Sequence, residues 1–395
     1  MPALYRYVFA DLMTDQTITE LALTGVTFDR RIIQPGSLRA TIPVPNATVA
    51  AEVRKVFPHE RYWPPTAGPG RVICHVYRGA QIWGTYLIWT ATPAGDERGN
   101  VSVEIQGATL ESYLDHRQIW TDVPPFVQVD QTAIAQQLIA HMQAGGGAAS
   151  IGLVPLDTPS GVRRDRTYKA SEAATYGQRL AELANVVDGF EYMIRTFVDP
   201  ATGKRARQFV TAARLGQSDT DHVFTRPGNV VSWSYPSDAA AAATRWRARG
   251  DTKQDDLTAD SEPLLGSIHT AADLIAAGWP YLDHTEDYQG VTQVATLDDY
   301  ARWWRDTRSG VIRIPQARVR LDEAPSFTPD RLGDFARLTI VDVWFPLDRS
   351  EGAYSRPTFS RHWRVVGIEV TPVSREDSQE LATLIFAEQA DEEAA

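Results

Sequence analysis

Between Arg71 and Gly107 the chain reads RVICHVYRGAQIWGTYLIWTATPAGDERGNVSVEIQG, and this stretch limits the fold more than any other. Its β-branched and aromatic residues come in runs. Breaks fall at Arg78-Gly79-Ala80-Gln81 and at Pro93-Ala94-Gly95-Asp96, the punctuation of three antiparallel strands joined by short turns. Val72, Cys74 and Val76 alternate with Ile73, His75 and Tyr77, and both sets are mostly apolar or amphipathic. Such a strand needs cover on its two faces, as inside a barrel or sandwich. A second stretch of the same kind runs from Asp334 to Pro372. The expectation is a mainly β chain with α+β insertions: two β-barrels carrying inserted helical modules.

At 395 residues the chain exceeds one ordinary core and has room for two or three. No run approaches the roughly 20 apolar residues that span a bilayer. The opening MPALYRYVFADLMTD lacks the cationic-then-apolar order of a secretory signal, so synthesis and folding in a cytoplasm are expected. The single cysteine, Cys74, lies in a predicted strand and reads as a buried thiol rather than a nucleophile. A net charge of −11 argues against nucleic-acid binding, which wants a basic stripe. The excess acid is concentrated in residues 251–310 and after 311, while the first 250 residues are near neutral. An acidic insertion is either a solvated surface or an electrostatic docking face.

In chain order, Leu21, Leu23, Val26 and Phe28, the turn Gln34-Pro35-Gly36, and then Leu38, Ala40 and Ile42 lead into the first barrel, residues 1–112. Asn46 or Thr48 caps a short helix there. His59 to Gly70 is a proline- and glycine-rich loop in which Arg61, Tyr62 and Trp63 are candidate partner contacts. Residues 113–220 read as an α+β module. Asp130 caps a helix over Gln131–Gln143, Ser171 caps another over Glu172–Val187, and a hairpin turns at Asp199-Pro200-Ala201-Thr202-Gly203. Residues 221–250 and 311–390 supply the second barrel, interrupted by the acidic helical insertion 251–310. In that insertion Thr270-x-x-Asp273 and Thr296-x-x-Asp299 have capping-box spacing. Residues 391–395 are expected to fray.

Catalytic signatures fail one by one. No Gly-x-Ser-x-Gly elbow frames a serine, and Gly145-Gly146-Gly147 lacks the Gly-Lys-Ser/Thr ending of a phosphate loop. The eight histidines offer no His-x-His and no His-Glu-x-x-His. Asp283-His284-Thr285-Glu286-Asp287 comes nearest to a hard-cation site and reads more simply as a solvated acidic loop. Asp283, Glu286 and Asp287 are therefore candidate partner contacts rather than ligands. Glycoside hydrolysis needs only two carboxylates a few ångströms apart, and these cannot be paired by eye among 50 acids. Trp83, Trp89, Trp233, Trp246, Trp344 and Trp363 fall in predicted strands and Trp304 on a helix's apolar face, which suits cores better than a sugar platform. No metal or cofactor is called for.

Several segments are jointly familiar: Pro35-Gly36-Ser37 leading into Arg39-Ala40-Thr41-Ile42-Pro43; the strand pair Arg71 to Gly84 with its Arg78-Gly79 turn and Ile82-Trp83-Gly84; and Arg166-Thr167-Tyr168 before a helix that ends in Asp188-Gly189-Phe190-Glu191. Gly333-Asp334 and Arg364-Val365-Val366-Gly367-Ile368 complete the set. In these segments and in its whole layout the chain resembles the tail hub proteins of tailed bacteriophages, the baseplate-hub or minor tail protein family of long-tailed phages. The resemblance implies a non-enzymatic, ring-forming homotrimer at the virion tail tip, made in the host cytoplasm. Its two hub barrels would face a distal tail protein or the tail tube, its lumen would receive the tape-measure protein and pass DNA, and its far side would hold a central fibre or other minor tail proteins. A tail-associated carbohydrate-active enzyme or receptor-binding module, or a distal-tail ring protein, are the alternatives.

Overall fold

The computed structural model describes residues 5–58, 65–217, 221–240, 242–252, 262–288, 291–310, 313–321, 327–348, 356–373 and 379–387. The first group of strands comprises β1 (Tyr5–Asp11), β2 (Thr17–Glu20), β3 (Thr24–Arg31), β4 (Ser37–Val44), β5 (Val72–Arg78), β6 (Gln81–Gly95) and β7 (Val101–Thr109), with helix α1 (Ala47–Val56) capped by Asn46. Every residue of β5 is buried, as its doubly apolar pattern requires. The turn expected at Pro93 is displaced. β6 runs through Pro93, which opposes Val103, and reverses only where the Asp96 carboxylate accepts from the amides of Arg98 and Asn100.

The middle of the chain supplies α2 (Glu111–Leu114), β8 (Val123–Asp130), α3 (Gln131–Gln143), β9 (Leu153–Asp157), β10 (Arg163–Tyr168), α4 (Tyr176–Ala184), β11 (Glu191–Val198) and β12 (Arg205–Ala212). Asp130 caps α3 as expected, its carboxylate accepting from the Thr132 amide. The second helix starts later than Ser171. A short 3-10 turn over Ala170–Glu172 ends at Ala173 with φ 51, and Thr175 is the residue that caps α4. The hairpin β11–β12 and the parallel strand β9 form a three-stranded sheet. Ile134, Leu138, Leu180, Phe190, Tyr192 and Phe209 of this module share one apolar cluster with Ala10, Ile73 and Leu87 of the first strands.

Next come β13 (Asp221–Arg226), β14 (Val230–Ser234), β15 (Arg245–Thr252), β16 (Pro263–Leu265), β17 (His269–Thr270), α5 (Ala272–Ala276), β18 (Asp283–Asp287) and α6 (Val294–Arg308). They are followed by β19 (Gln316–Arg320), β20 (Phe335–Ile340), β21 (Leu347–Asp348), β22 (Arg356–Pro357), β23 (Phe359–Thr371) and β24 (Leu381–Phe386). Neither expected capping box forms. Thr270 lies in β17, and α6 begins at Val294, which puts Thr296 inside the helix. Leu297 and Ala301 of α6 are fully buried against Ala248 of β15.

The chain is thus mainly β with α+β insertions, but among the described residues closed barrels are not detected. Strands from both ends join one 13-stranded sheet, in the order β14-β19-β24-β23-β3-β4-β7-β6-β5-β1-β2, with β20 bridging β13 and β23. The fusion is the work of β23. Its first half pairs with β20, from Phe359 opposite Ile340 to Arg364 opposite Phe335, and its second half with β3, from Gly367 opposite Arg31 to Val370 opposite Phe28. By compactness the chain divides into a larger unit, Met1–Ser232 with Ala317–Ile385, and a smaller one, Trp233–Gln316 with Phe386–Ala395.

Candidate functional site

Of the residues singled out from sequence, Arg61, Tyr62 and Trp63 lie outside the described residues. Asp283 and Asp287 share one face of β18, which pairs in parallel with β15 so that Arg245 opposes Asp283 and Arg249 opposes Asp287. Each arginine makes a two-pronged contact with its carboxylate. These hydrogen bonds hold both carboxyls below the usual range. Glu286 points the other way along the alternation and meets His284 at 2.9 Å. The acidic strand therefore carries matched charge, with Arg247 opposite Thr285 between the two pairs.

Inside the larger unit lies a Thr-His-Asp chain that the sequence did not announce. His75 Nδ1 is 2.8 Å from Thr85 Oγ1, and its Nε2 is 3.0 Å from an Asp15 oxygen. Arg205 donates to the same carboxylate at 2.6 Å and Arg207 at 2.9 Å. Burial raises the Asp15 carboxyl, but the hydrogen bond and charge of His75, with those of the two arginines, outweigh it and hold the carboxyl far below its ordinary value. Burial drives His75 the other way, towards the neutral form, against a partly compensating pull from Asp15. His75 is wholly enclosed and Thr85 is 5% exposed, so no substrate reaches the hydroxyl. The arrangement ties the β1–β2 turn to β5, β6 and β12. Cys74 beside it is enclosed as well, and burial pushes its thiol up, away from nucleophilic use.

Two further buried charge clusters join distant segments. Arg78 and Glu380 meet through paired contacts of 2.8 Å, with the Tyr5 hydroxyl donating to the same carboxylate. Arg364 of β23 donates to Glu191 at 2.6 Å and to the Gly333 carbonyl at 3.0 Å, while Glu191 also accepts from the Leu215 amide. Asp334 completes this junction by accepting from the Gln217 amide and meeting His222 Nε2 at 3.1 Å.

Beside the junction is a cavity of about 420 Å³, walled by the β3–β4 turn, α2, α4, the start of β11 and Val366. In the turn, Gln34 N donates to Ile32 O across Ile33, whose φ of 68 is an outlier for a β-branched residue. The Ile33 amide donates to Tyr192 O at 3.0 Å, which holds the strained residue in place. Three carboxylates line the space: Glu111, Asp115 and Glu191. Glu111 Oε1 accepts from the Ile194 amide at 2.6 Å, and its buried Oε2 has no partner among the described residues. Burial raises the Asp115 carboxyl. Among the described residues no group of three or more histidine, cysteine, aspartate or glutamate side chains is placed to hold a metal, and no helix is long and apolar enough to cross a membrane.

No protein-family model matches the sequence, and no curated protein matches it. Solved structures do match, over nearly the whole chain. The 43 kDa tail protein of prophage MuSo2 from Shewanella oneidensis aligns over 97% of this chain and 98% of its own, at a TM-score of 0.60 and 12% identity. This chain has the fold of phage tail proteins. A tail protein from Neisseria meningitidis matches at a TM-score of 0.56 and 13% identity, covering 96% of each chain. The prophage tail protein gp18 from Listeria monocytogenes matches at 0.51 and 11%, covering 97% of this chain and 95% of its own.

Within that tail-protein fold, the short segments that carried the resemblance serve close approaches and buried joints. A Cβ on Gly36 would come 2.1 Å from the Asp29 carbonyl, and one on Gly84 would come 2.4 Å from the Tyr86 ring. Ser37 bonds the buried Asp29 through its amide at 2.7 Å. Glu191, Gly333, Asp334 and Arg364 all meet in one junction. Sequence reasoning missed the Asp15–His75–Thr85 network, and the one legible signal was a histidine and a threonine placed opposite each other inside an apolar strand pair. Trp344, expected in a core, is 76% exposed beside the fully exposed Val343, because Asp342 accepts from the amides of Trp344 and Phe345 and turns the chain there.

Proposed function

We propose that the chain is a structural hub at the distal end of a long phage tail, assembling as a homotrimeric ring between tube and adsorption apparatus. The observation that carries this reading is the extent of the likeness: the fold runs from end to end of the Shewanella tail protein, with almost nothing left over on either chain. The interior agrees with a load-carrying part. Its buried polar clusters are spent on holding remote strands together, and the Thr-His-Asp chain is sealed. In this reading a distal tail or tube protein binds one face and a central fibre or other minor tail proteins the other. The lumen receives the tape-measure protein and passes DNA. Arg61, Tyr62 and Trp63, together with Asp283, Glu286 and Asp287 of the acidic strand, supply partner contacts.

The test is the mass of the purified chain by light scattering, alone and mixed with neighbouring tail proteins, followed by electron microscopy of any complex. A trimer, alone or on mixing, with a threefold ring in projection is the expected result. A monomer inert towards tail proteins that binds or cleaves cell-wall glycan would replace the hub with the receptor-binding or carbohydrate-active alternative.

A further inference from the structure

The cavity beside α2 and α4 goes beyond the hub reading and does not depend on it, since a ring with this cavity empty is still a hub. Its wall holds carboxylates in unequal states. Glu191 is fully engaged by Arg364 and the Leu215 amide. Glu111, 5% exposed, uses one oxygen on the Ile194 amide and leaves the other buried without a donor among the described residues. A buried acceptor left unpaired is costly, and a charge-assisted donor relieves it best. Asp115 adds a second carboxylate to the same wall.

The rest of the wall fits something other than a bare ion. Ile33, Pro35, Ala181 and Val366 offer apolar surface, and the volume of about 420 Å³ is that of a small-molecule pocket. The Gly177 position brings α4 close to α2, because a Cβ there would fall 2.0 Å from Asp115 Oδ1. We propose that the cavity takes a guanidinium or ammonium group on an aliphatic stem, the head meeting Glu111 and Asp115 and the stem lying along Ile33, Pro35, Ala181 and Val366. A guanidinium is the better match, since its planar fork addresses carboxylates in pairs.

Calorimetric titration of the full chain with n-butylguanidinium, against neutral n-butylurea at matched ionic strength, tests this. Saturable binding of the cation at least tenfold tighter than that of the urea is expected, with Glu111→Gln losing about tenfold or more. Ala181→Leu should block the space, Asp115→Asn should weaken binding, and Glu97→Gln, on the exposed β6–β7 turn, should leave it unchanged. If Glu111→Gln fails to fold, the Ala181 and Asp115 variants decide. A blocked peptide, acetyl-Gly-Arg-Gly-amide, separates the sources. Binding of both probes assigns the group to a protein side chain, and binding of n-butylguanidinium alone assigns it to a free small molecule. Equal affinity for cation and urea, or variants indistinguishable from the parent, would overturn the proposal.

Discussion

Arg78 with Glu380 in the larger unit and Arg249 with Asp287 in the smaller one are nearly the same contact. Each arginine presents Nε and one Nη to the two oxygens of one carboxylate. Burial separates them: the first pair is 7% and 4% exposed at its side chains, the second 47% and 57%. Removed from water, neither member of the first pair is tolerable without the other. In solvent, the second pair is screened and gains little from its geometry. Identical hydrogen-bond patterns therefore act as a structural joint in one region and as a surface feature that adds little to stability in the other.

The sharpest way to break that comparison is Arg78→Leu, which strands the Glu380 carboxylate. It should cost about 3–5 kcal/mol in denaturant unfolding, and Arg78→Leu with Glu380→Leu should recover most of the loss. A single variant as stable as the parent would refute the joint. In the smaller unit the large effect should come from apolar packing instead: Leu297→Ala, at a fully buried position, should cost about 2–5 kcal/mol. Tryptophan fluorescence from the Trp246–Trp304 stack is a local reporter.

Acid should expose the third difference. His75 is held neutral, so the unfolded chain binds a proton that the folded chain refuses as pH falls below about 6.5, and stability declines from there. Asp15, whose folded pKa is depressed, adds to the decline as pH falls below about 4, because protonation then favours the unfolded state. Asp15→Asn should flatten the lower part of the pH–stability curve, while Asp283→Asn and Asp287→Asn, whose depressed carboxyls sit in exposed, screened pairs, should flatten it far less. The smallest effect is expected from Arg249→Ala and Asp287→Ala, singly or together: an unfolding midpoint that stays put in low salt and in 1 M salt. A clear shift would mean that this exposed pair carries stability as the buried one does.

Legibility followed the distance over which a feature is decided. The Asp130 cap and the β11–β12 turn each need only a few consecutive residues and stand where periodicity and cap chemistry put them, and of the two candidates for the α1 cap, Asn46 and Thr48, the structure uses Asn46. Ser171 and the two threonine boxes failed although their spacing was right, because a cap works only where the backbone turns into a helix, and Ala173 and α6 placed that turn elsewhere. Asp283 and Asp287 were visible as charge, yet their arginines arrive from 38 residues upstream.

By itself the sequence determined that this chain is built of strands, that β5 is covered on both faces, and where α1, α3 and most hairpins begin. Those properties are written in side-chain period and in short-range hydrogen bonding. Which strands become neighbours was decided only in three dimensions. The alternation of β23 satisfies β20 and β3 equally well, so nothing local reveals that one strand would fuse both groups into a single sheet. The junction of Glu191 with Arg364, 173 residues apart, and the cavity beside it exist only once that fusion has brought their walls together.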